Sequence, residues 1–261
     1  MYDLAAIEAA LTGTIFSGKL HFTQVTGSTN SDGVAAARAG APHGSVYFTD
    51  EQLAGRGRGD HRWQSANGAG LYVSVLLRVA LQAERTPLLS LVAGLAAVDA
   101  IGAASGLKAD LRWPNDVLIG ERKAAGILVE SKIEENMLAF AVVGIGINVH
   151  QRNFGPSLAT PATSLDVEAS RTISRQKLLV ALLKALECET QSLAESGATA
   201  NIPARIEQAS TWVRGRVVEV HGPQTCSGVT AGLTESGFLL VETSDGLLEV
   251  RTGGIRAVKI D

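Results

Sequence analysis

Cysteine is scarce in this chain. The two present, Cys188 and Cys226, lie far apart and match no metal-ligand spacing, so they read as free thiols in a reducing compartment. The five histidines form no His-x-x-x-His pair, which argues against a zinc site, and no Cys–His or His–Asp pairing suggests an activated nucleophile. There is no excess of basic charge: the net charge of −3 provides no global field for nucleic acid or an anionic membrane. The start, Met1-Tyr2-Asp3-Leu4, lacks the basic end and apolar run of a secretory leader. Nor is there a long unbroken hydrophobic run. Leu88–Ala104 comes nearest, but Ser90, Gly94, Asp99 and Gly102 interrupt it, and Thr86-Pro87 starts it as a buried helix starts. Repeats and low-complexity tracts are also missing. These absences leave a compact cytoplasmic protein of 261 residues, long enough for one substantial domain and a small one.

What the chain does have is a run of alternating glycine and arginine, Gly55-Arg56-Gly57-Arg58-Gly59, preceded by Gln52 and closed by Arg62-Trp63. Glycine lets backbone N–H groups approach a ligand closely, and successive N–H groups in such turns form an anion-binding concavity. Arginine adds a planar, permanently charged fork for carboxylate or phosphate oxygens. No Gly-Lys-Ser/Thr follows, so the run is not a Walker A loop. The third glycine and following helix of a dinucleotide fingerprint are missing too. A disordered Arg-Gly segment touching RNA nonspecifically is the rival reading, and the negative net charge weighs against it.

Periodicity places other polar clusters at element ends. A helix over Leu4–Leu11 and a strand over Lys19–Val25 precede Gly27-Ser28-Thr29-Asn30, where a strand hands over to a helix running to Arg38. Ser28, Thr29 and Asn30 can cap that helix, line a pocket, or do both. Strands over Ser45–Gln52 and Leu71–Arg78 flank the glycine-arginine loop. Trp113-Pro114-Asn115-Asp116 opens a strand, and a turn at Gly120-Glu121-Arg122 leads into Lys123–Glu130. Leu138–Val149 is a near-continuous apolar strand whose glycines permit close backbone approach. His150–Ile173 reads as loop, and Ser174–Glu195 as an amphipathic helix. Beyond Val213, five short β segments at about ten-residue spacing, the last Ile255–Ile260, suggest a small separate β-barrel. The expected division is therefore 1–212 and 213–261.

In order and spacing, these motifs resemble those of the biotin–protein ligases. The match is carried by Gly27-Ser28-Thr29-Asn30, Gln52 with Gly55-Arg56-Gly57-Arg58 and Trp63, and Trp113-Pro114-Asn115-Asp116. It continues through Lys123 with Ala125–Glu130, Gly144-Ile145-Gly146-Ile147-Asn148-Val149, Ala162-Thr163-Ser164-Leu165 and Gly253-Gly254-Ile255. The resemblance implies an α+β fold: a mixed-sheet catalytic domain like the class II aminoacyl-tRNA synthetases and lipoate ligases, plus a C-terminal Src-homology-3-like barrel. It implies that biotin and MgATP give biotinyl-5′-adenylate, whose biotinyl group passes to a lysine of a biotin carboxyl carrier protein of acetyl-CoA carboxylase or another biotin-dependent carboxylase. A lipoate or octanoyl ligase on the same fold is the nearest alternative.

By the same resemblance, biotin would meet Ser28, Thr29, Asn30, Gln52, Gly55, Arg56, Gly57, Arg58, Trp63, Lys123 and Gly126. ATP would meet Arg56, Arg58, Arg62, Asn115, Lys123, Asn148, Ala162, Thr163 and Ser164. Lys123, Arg58 and Asp116 would act at the reacting centre, with Asp116 holding Mg²⁺. Only about two dozen residues precede Gly27, too few for a helix-turn-helix, so DNA and membrane partners are not expected, while a homodimer is allowed. One departure stands out: Gly59-Asp60-His61 interrupts the loop, and Asp60 would set a negative charge beside a phosphate site. A labile mixed anhydride needs shielding from water, and a glycine-rich flap can close over it. Amide hydrogen exchange across Gly55–Trp63 is therefore expected to slow when the adenylate forms; unchanged protection throughout the loop would contradict a closing flap.

Overall fold

The computed structural model describes residues 2–59, 61–155, 158, 160–194 and 201–258. Asp60 lies outside them, as do residues 259 and 260 at the end of the last expected strand.

Seven strands build the first sheet. Its strands are β1 (Leu20–Thr26), β2 (Val46–Gln52), β3 (Gly70–Leu77), β4 (Asp110–Arg112), β5 (Asp116–Ile119), β6 (Arg122–Glu134) and β7 (Met137–Asn148). The spatial order is β1-β2-β3-β7-β6-β5-β4. The β1–β2 pair is parallel and the others antiparallel, giving the mixed sheet the sequence implied. Helix α1 (Leu4–Ala10) precedes β1, and Asp3 caps it by accepting from Ala6 N. Helix α2 (Thr29–Arg38) covers one face, where Ala37 packs with Leu76, Phe140 and Val142.

The long helices α3 (Leu88–Ser105) and α5 (Arg175–Ala194) pack together on the core side. Length and composition alone would let the segment Ala83–Ser105 cross a membrane. Here α3 is buried around most of its circumference, which accounts for its lack of a polar face, and Gly106 stops it at φ 75°. Strand β3 is buried along its whole length, so its apolar run continues without alternation.

Two helices escape sequence periodicity. Helix α4 (Leu165–Ala169) lies within the stretch that reads as loop; five residues are too few to establish a helical repeat. Helix α6 (Ile202–Ala209) then leads into the second sheet.

That sheet is wholly antiparallel. It contains β8 (Arg214–His221), β9 (Cys226–Leu233), β10 (Leu239–Thr243), β11 (Gly246–Val250) and β12 (Gly254–Ala257), ordered β11-β10-β9-β8-β12. The last strand returns to pair with the first, as in a small Src-homology-3-like barrel. One hydrophobic cluster runs through both sheets. Trp113 Nε1 donates to Gly237 O at 3.0 Å, and Ser210 Oγ to Leu111 O at 2.5 Å. Trp212, 1% exposed, is the largest fully buried side chain at the junction. The guanidinium of Arg216 lies 3.7 Å from one ring centroid of Trp212, and that of Arg112 lies 5.4 Å away. This packing brings the turns around His221 and Gly253 to the edge of the first sheet. Trp212→Ala should cost about 3–5 kcal/mol in urea unfolding; a change within experimental error would show that the two sheets do not depend on this contact.

Candidate functional site

A cavity of about 700 Å³ opens where β6 and β7 meet the glycine-arginine loop and the turns of the second sheet. Its floor is glycine. Gly126 and Gly146 face each other across β6 and β7, and the indole of Trp63 lies on them. A Cβ at Gly146 would sit 2.6 Å from the indole, and one at Gly126 2.9 Å from it, both inside van der Waals contact. Trp63 Nε1 is buried without a hydrogen-bond partner among the described residues, leaving a donor for a ligand.

One wall is a continuous polar chain. Ser28 takes the N-cap position of α2, but its hydroxyl makes no capping bond. Gln52 Oε1 accepts from Thr29 N at 3.0 Å and from Thr29 Oγ1 at 3.2 Å, while Gln52 Nε2 donates to Ser65 Oγ at 2.8 Å. Ser74 Oγ lies 2.8 Å from Thr29 Oγ1 and 2.6 Å from Asn30 Oδ1. Asn30 Nδ2 donates to Glu130 Oε2 at 2.9 Å, and Arg56 pairs with the same carboxylate oxygen at 2.5 Å. Gly144 belongs to this wall, because a Cβ there would meet Asn30 Oδ1 at 2.0 Å. Thr29 and Asn30 thus form part of a buried network, while Ser28 beside them lines the cavity from the N-cap position.

The opposite end is cationic around one carboxylate. Asp116, at the start of β5, pairs with Arg112 at 2.5 Å and with Lys123 at the start of β6. Arg112 also donates to Thr160 Oγ1 at 2.9 Å. Burial pushes the Asp116 carboxyl upward, but the charges and hydrogen bonds of Lys123 and Arg112 outweigh it and hold the group below its ordinary value. Lys123 Nζ is 5.5 Å from the Trp63 ring centroid, so this lysine, which a hairpin edge would leave solvated, faces the cavity instead.

The glycine-arginine loop folds back on itself. Gly57 N donates to His61 O at 2.7 Å, Trp63 N donates to Gly55 O at 3.0 Å, and Arg56 bridges to Arg62. Arg58 reaches the second sheet, where it meets Gly253 O and lies 2.9 Å from Thr252 Oγ1. Burial lowers the basicity of Arg58, and the nearby Asp116 charge opposes that shift. Asp60, expected beside a phosphate, lies outside the described residues.

The expected nucleotide-contacting residues are mostly structural in their visible bonds. Asn115 Nδ2 donates to Ile127 O at 2.8 Å and extends the β5–β6 pairing past the end of β5. Asn148 Nδ2 donates to Thr163 O at 3.0 Å. Ala162 bridges to Lys123, and Thr163 bonds Glu168, which pins this segment beside β6. Of these, Asn115, Asn148 and Ala162 line the cavity; Thr163 and Ser164 are buried behind it.

Sequence reading overlooked Ser74, Glu130, Arg112 and the second-sheet residues His221 and Thr252. Ser74 is a lone hydroxyl inside the apolar run Leu71–Leu77, a detectable signal. The second-sheet residues give no local signal, because only tertiary packing brings them here.

Among the described residues, no three His, Cys, Asp or Glu side chains gather as a metal cluster. The single carboxylate of Asp116 suits a magnesium ion arriving with nucleotide phosphates, since that ion takes few protein oxygens.

Fold and site together define an α+β protein whose cavity joins a hydrogen-bonding wall to a cluster of cations. The sequence profile of the biotin/lipoate A/B protein ligase family matches residues 23–148. The chain is 33% identical over 237 residues to the biotin--[acetyl-CoA-carboxylase] ligase of Mycobacterium tuberculosis, covering 88% of this chain and 85% of that protein. It is 32% identical over 257 residues to the bifunctional ligase/repressor BirA of Bacillus spizizenii, covering 95% and 77%. The biotin protein ligase from Aquifex aeolicus in complex with biotin and ATP superposes with a TM-score of 0.76 at 28% identity, covering 92% and 98%. The chain belongs to the biotin/lipoate A/B protein ligase family.

The depressed Asp116 pKa has a pH consequence. The ion pairing contributes fully above the ordinary carboxylate value of about 3.9 and is lost as pH falls through the lower folded-state value. The stability advantage of the wild type over Asp116→Asn should therefore be constant near neutral pH and shrink as pH falls below about 5. A pH-independent difference in denaturant midpoints would contradict the pairing.

Proposed function

We propose that this protein joins the carboxylate of biotin to the α-phosphate of ATP, giving biotinyl-5′-adenylate and pyrophosphate, and then transfers the biotinyl group to a lysine of a biotin carboxyl carrier protein. The carrying observation is the arrangement of the cavity: a hydrogen-bonding wall of Ser28, Thr29, Asn30 and Gln52 leads to the cationic cluster of Arg58, Arg112 and Lys123. A flat ureido ring needs paired donors and acceptors, and Thr29 with Gln52 can exchange their mutual bonds for bonds to it. The bicyclic ring and valeryl chain fit over the glycine floor beneath Trp63. Relatives named as biotin ligases favour biotin over lipoate.

The first step brings together two anions. Two unit charges ~4 Å apart repel by about 4 kcal/mol at an effective dielectric of 20. Lys123 and Arg58 offset that repulsion and stabilise the charge that builds on phosphate in the transition state. The carboxylate is already ionised, so no general base is needed for this step. Asp116 would be the protein oxygen that holds a magnesium ion arriving with ATP, and that ion would supply further charge neutralisation. Asn115, Asn148 and the Ala162–Ser164 segment border the nucleotide, while Arg56, Arg62, Gly55, Gly57 and Gly126 shape the loop and floor around the joined ligands.

In the second step the free amine of the acceptor lysine attacks the biotinyl carbonyl, an amide bond forms as the nitrogen releases one proton to solvent, and AMP leaves with the electrons of the broken acyl–phosphate bond. Residues 1–212 form the catalytic unit in this reading, and 213–261 the smaller barrel. The protein acts in the cytoplasm.

Biotin-dependent ATP–pyrophosphate exchange, followed by transfer to a carrier domain, tests the proposal. Wild type should exchange with biotin and not with lipoate. Lys123→Ala and Arg58→Ala should each lose at least about a hundredfold in exchange, as for loss of one transition-state donor, while keeping most of their fold stability. Exchange with lipoate alone, or equal losses of activity and melting temperature, would overturn the assignment.

A further inference from the structure

The second sheet provides an anchor for the loop arginine, and the anchor is built rather than incidental. Thr252 and Gly253 form the turn between β11 and β12, and Gly254 pairs with His221 at the end of β8. Gly253 has φ 119°, and a Cβ there would come within 2.4 Å of His221 O. Gly222 packs so closely that its own Cβ would lie 2.8 Å from Gly253 Cα. Only glycine permits that approach, and the result is a turn fixed against β8. Both terminal nitrogens of Arg58 point at it, one to Gly253 O and one to Thr252 Oγ1.

We propose that Thr252, with the Gly253 carbonyl, is a positioning residue for adenylate formation: it fixes the Arg58 guanidinium so that its remaining donors face the anion in the cavity. A guanidinium carries five N–H donors, and the turn uses those of one edge. A flexible side chain on a glycine-rich loop would otherwise have to be ordered during the reaction, whereas a docked one is already oriented. The second sheet thereby takes part in the first half-reaction by orienting Arg58. This inference rests on the biotin-ligase reading and on Arg58 serving the reacting anions.

The test is Thr252→Val against Thr252→Ser in the full chain, measured by biotin-dependent ATP–pyrophosphate exchange and by thermal melting. Thr252 is exposed, so neither substitution disturbs the core. Thr252→Val should lower kcat about threefold to tenfold, the effect of losing one solvent-exposed hydrogen bond of ordinary net strength. KM for biotin should change less than about twofold, because the bond acts on the transition state rather than on ground-state binding. Thr252→Ser should restore kcat, and both variants should melt with the wild type. Undiminished kcat in Thr252→Val, or a loss that serine fails to rescue, overturns the proposal while leaving the ligase reading intact. Absence of exchange in the wild type would instead overturn that reading, and the proposal with it.

Discussion

A single carboxylate sets the electrostatics of the cavity. Asp116 is the shared partner of Arg112 and Lys123, and its charge also acts on Arg58. Without it, several cations drawn from three parts of the chain would face each other across a partly buried space. Such a cluster is tolerable in the folded protein only while an anion stands among the cations. The same arrangement leaves positive charge to receive a second anion, because two cations share one carboxylate. That imbalance, rather than any one residue, prepares the site for a carboxylate and a phosphate.

The backbone carries the rest. Glycines at 126, 144 and 146 remove side chains from the middle of two adjacent strands, so Trp63 and Asn30 can lie directly on the sheet. Tryptophan closes the glycine-arginine loop onto that floor, while Arg56 ties the loop to Glu130 and Arg58 ties it to the second sheet. The loop is therefore held at three points by elements far apart in sequence. Glu130 links the loop to the polar wall, since it also accepts from Asn30, so displacement of Arg56 would be felt along the hydrogen-bonded chain that reaches Gln52.

Much of this was legible in the letters. Most strand and helix positions followed from period, the mixed-sheet α+β class followed only from the family resemblance that the motifs carry, and the loop announced itself by its composition. The polar residues at the end of β1 were visible as a cluster, although their joint network was not, because Ser74 enters it from the middle of an apolar strand. The Gly120-Glu121-Arg122 turn set β5 beside β6 and the resemblance put Lys123 at the reacting centre, but the side-chain direction that pairs Lys123 with Asp116 left no local signal. Helix α4 was too short to leave a period. The contribution of Thr252 and Gly253 was invisible for a different reason: nearly two hundred residues separate them from Arg58, and only the packing around Trp212 and Trp113 brings the two together.

In the proposed reaction, substrate anions take their place among the cations gathered around Asp116. The most direct measurement is a crystal structure with a nonhydrolysable analogue of biotinyl-5′-adenylate. The account requires Lys123 Nζ and the Arg58 guanidinium within hydrogen-bonding distance of the analogue's phosphate-equivalent oxygens, with the ureido ring against Thr29 and Gln52. A phosphate group lying beyond the reach of both cations, with Lys123 still committed to Asp116 alone, would contradict it.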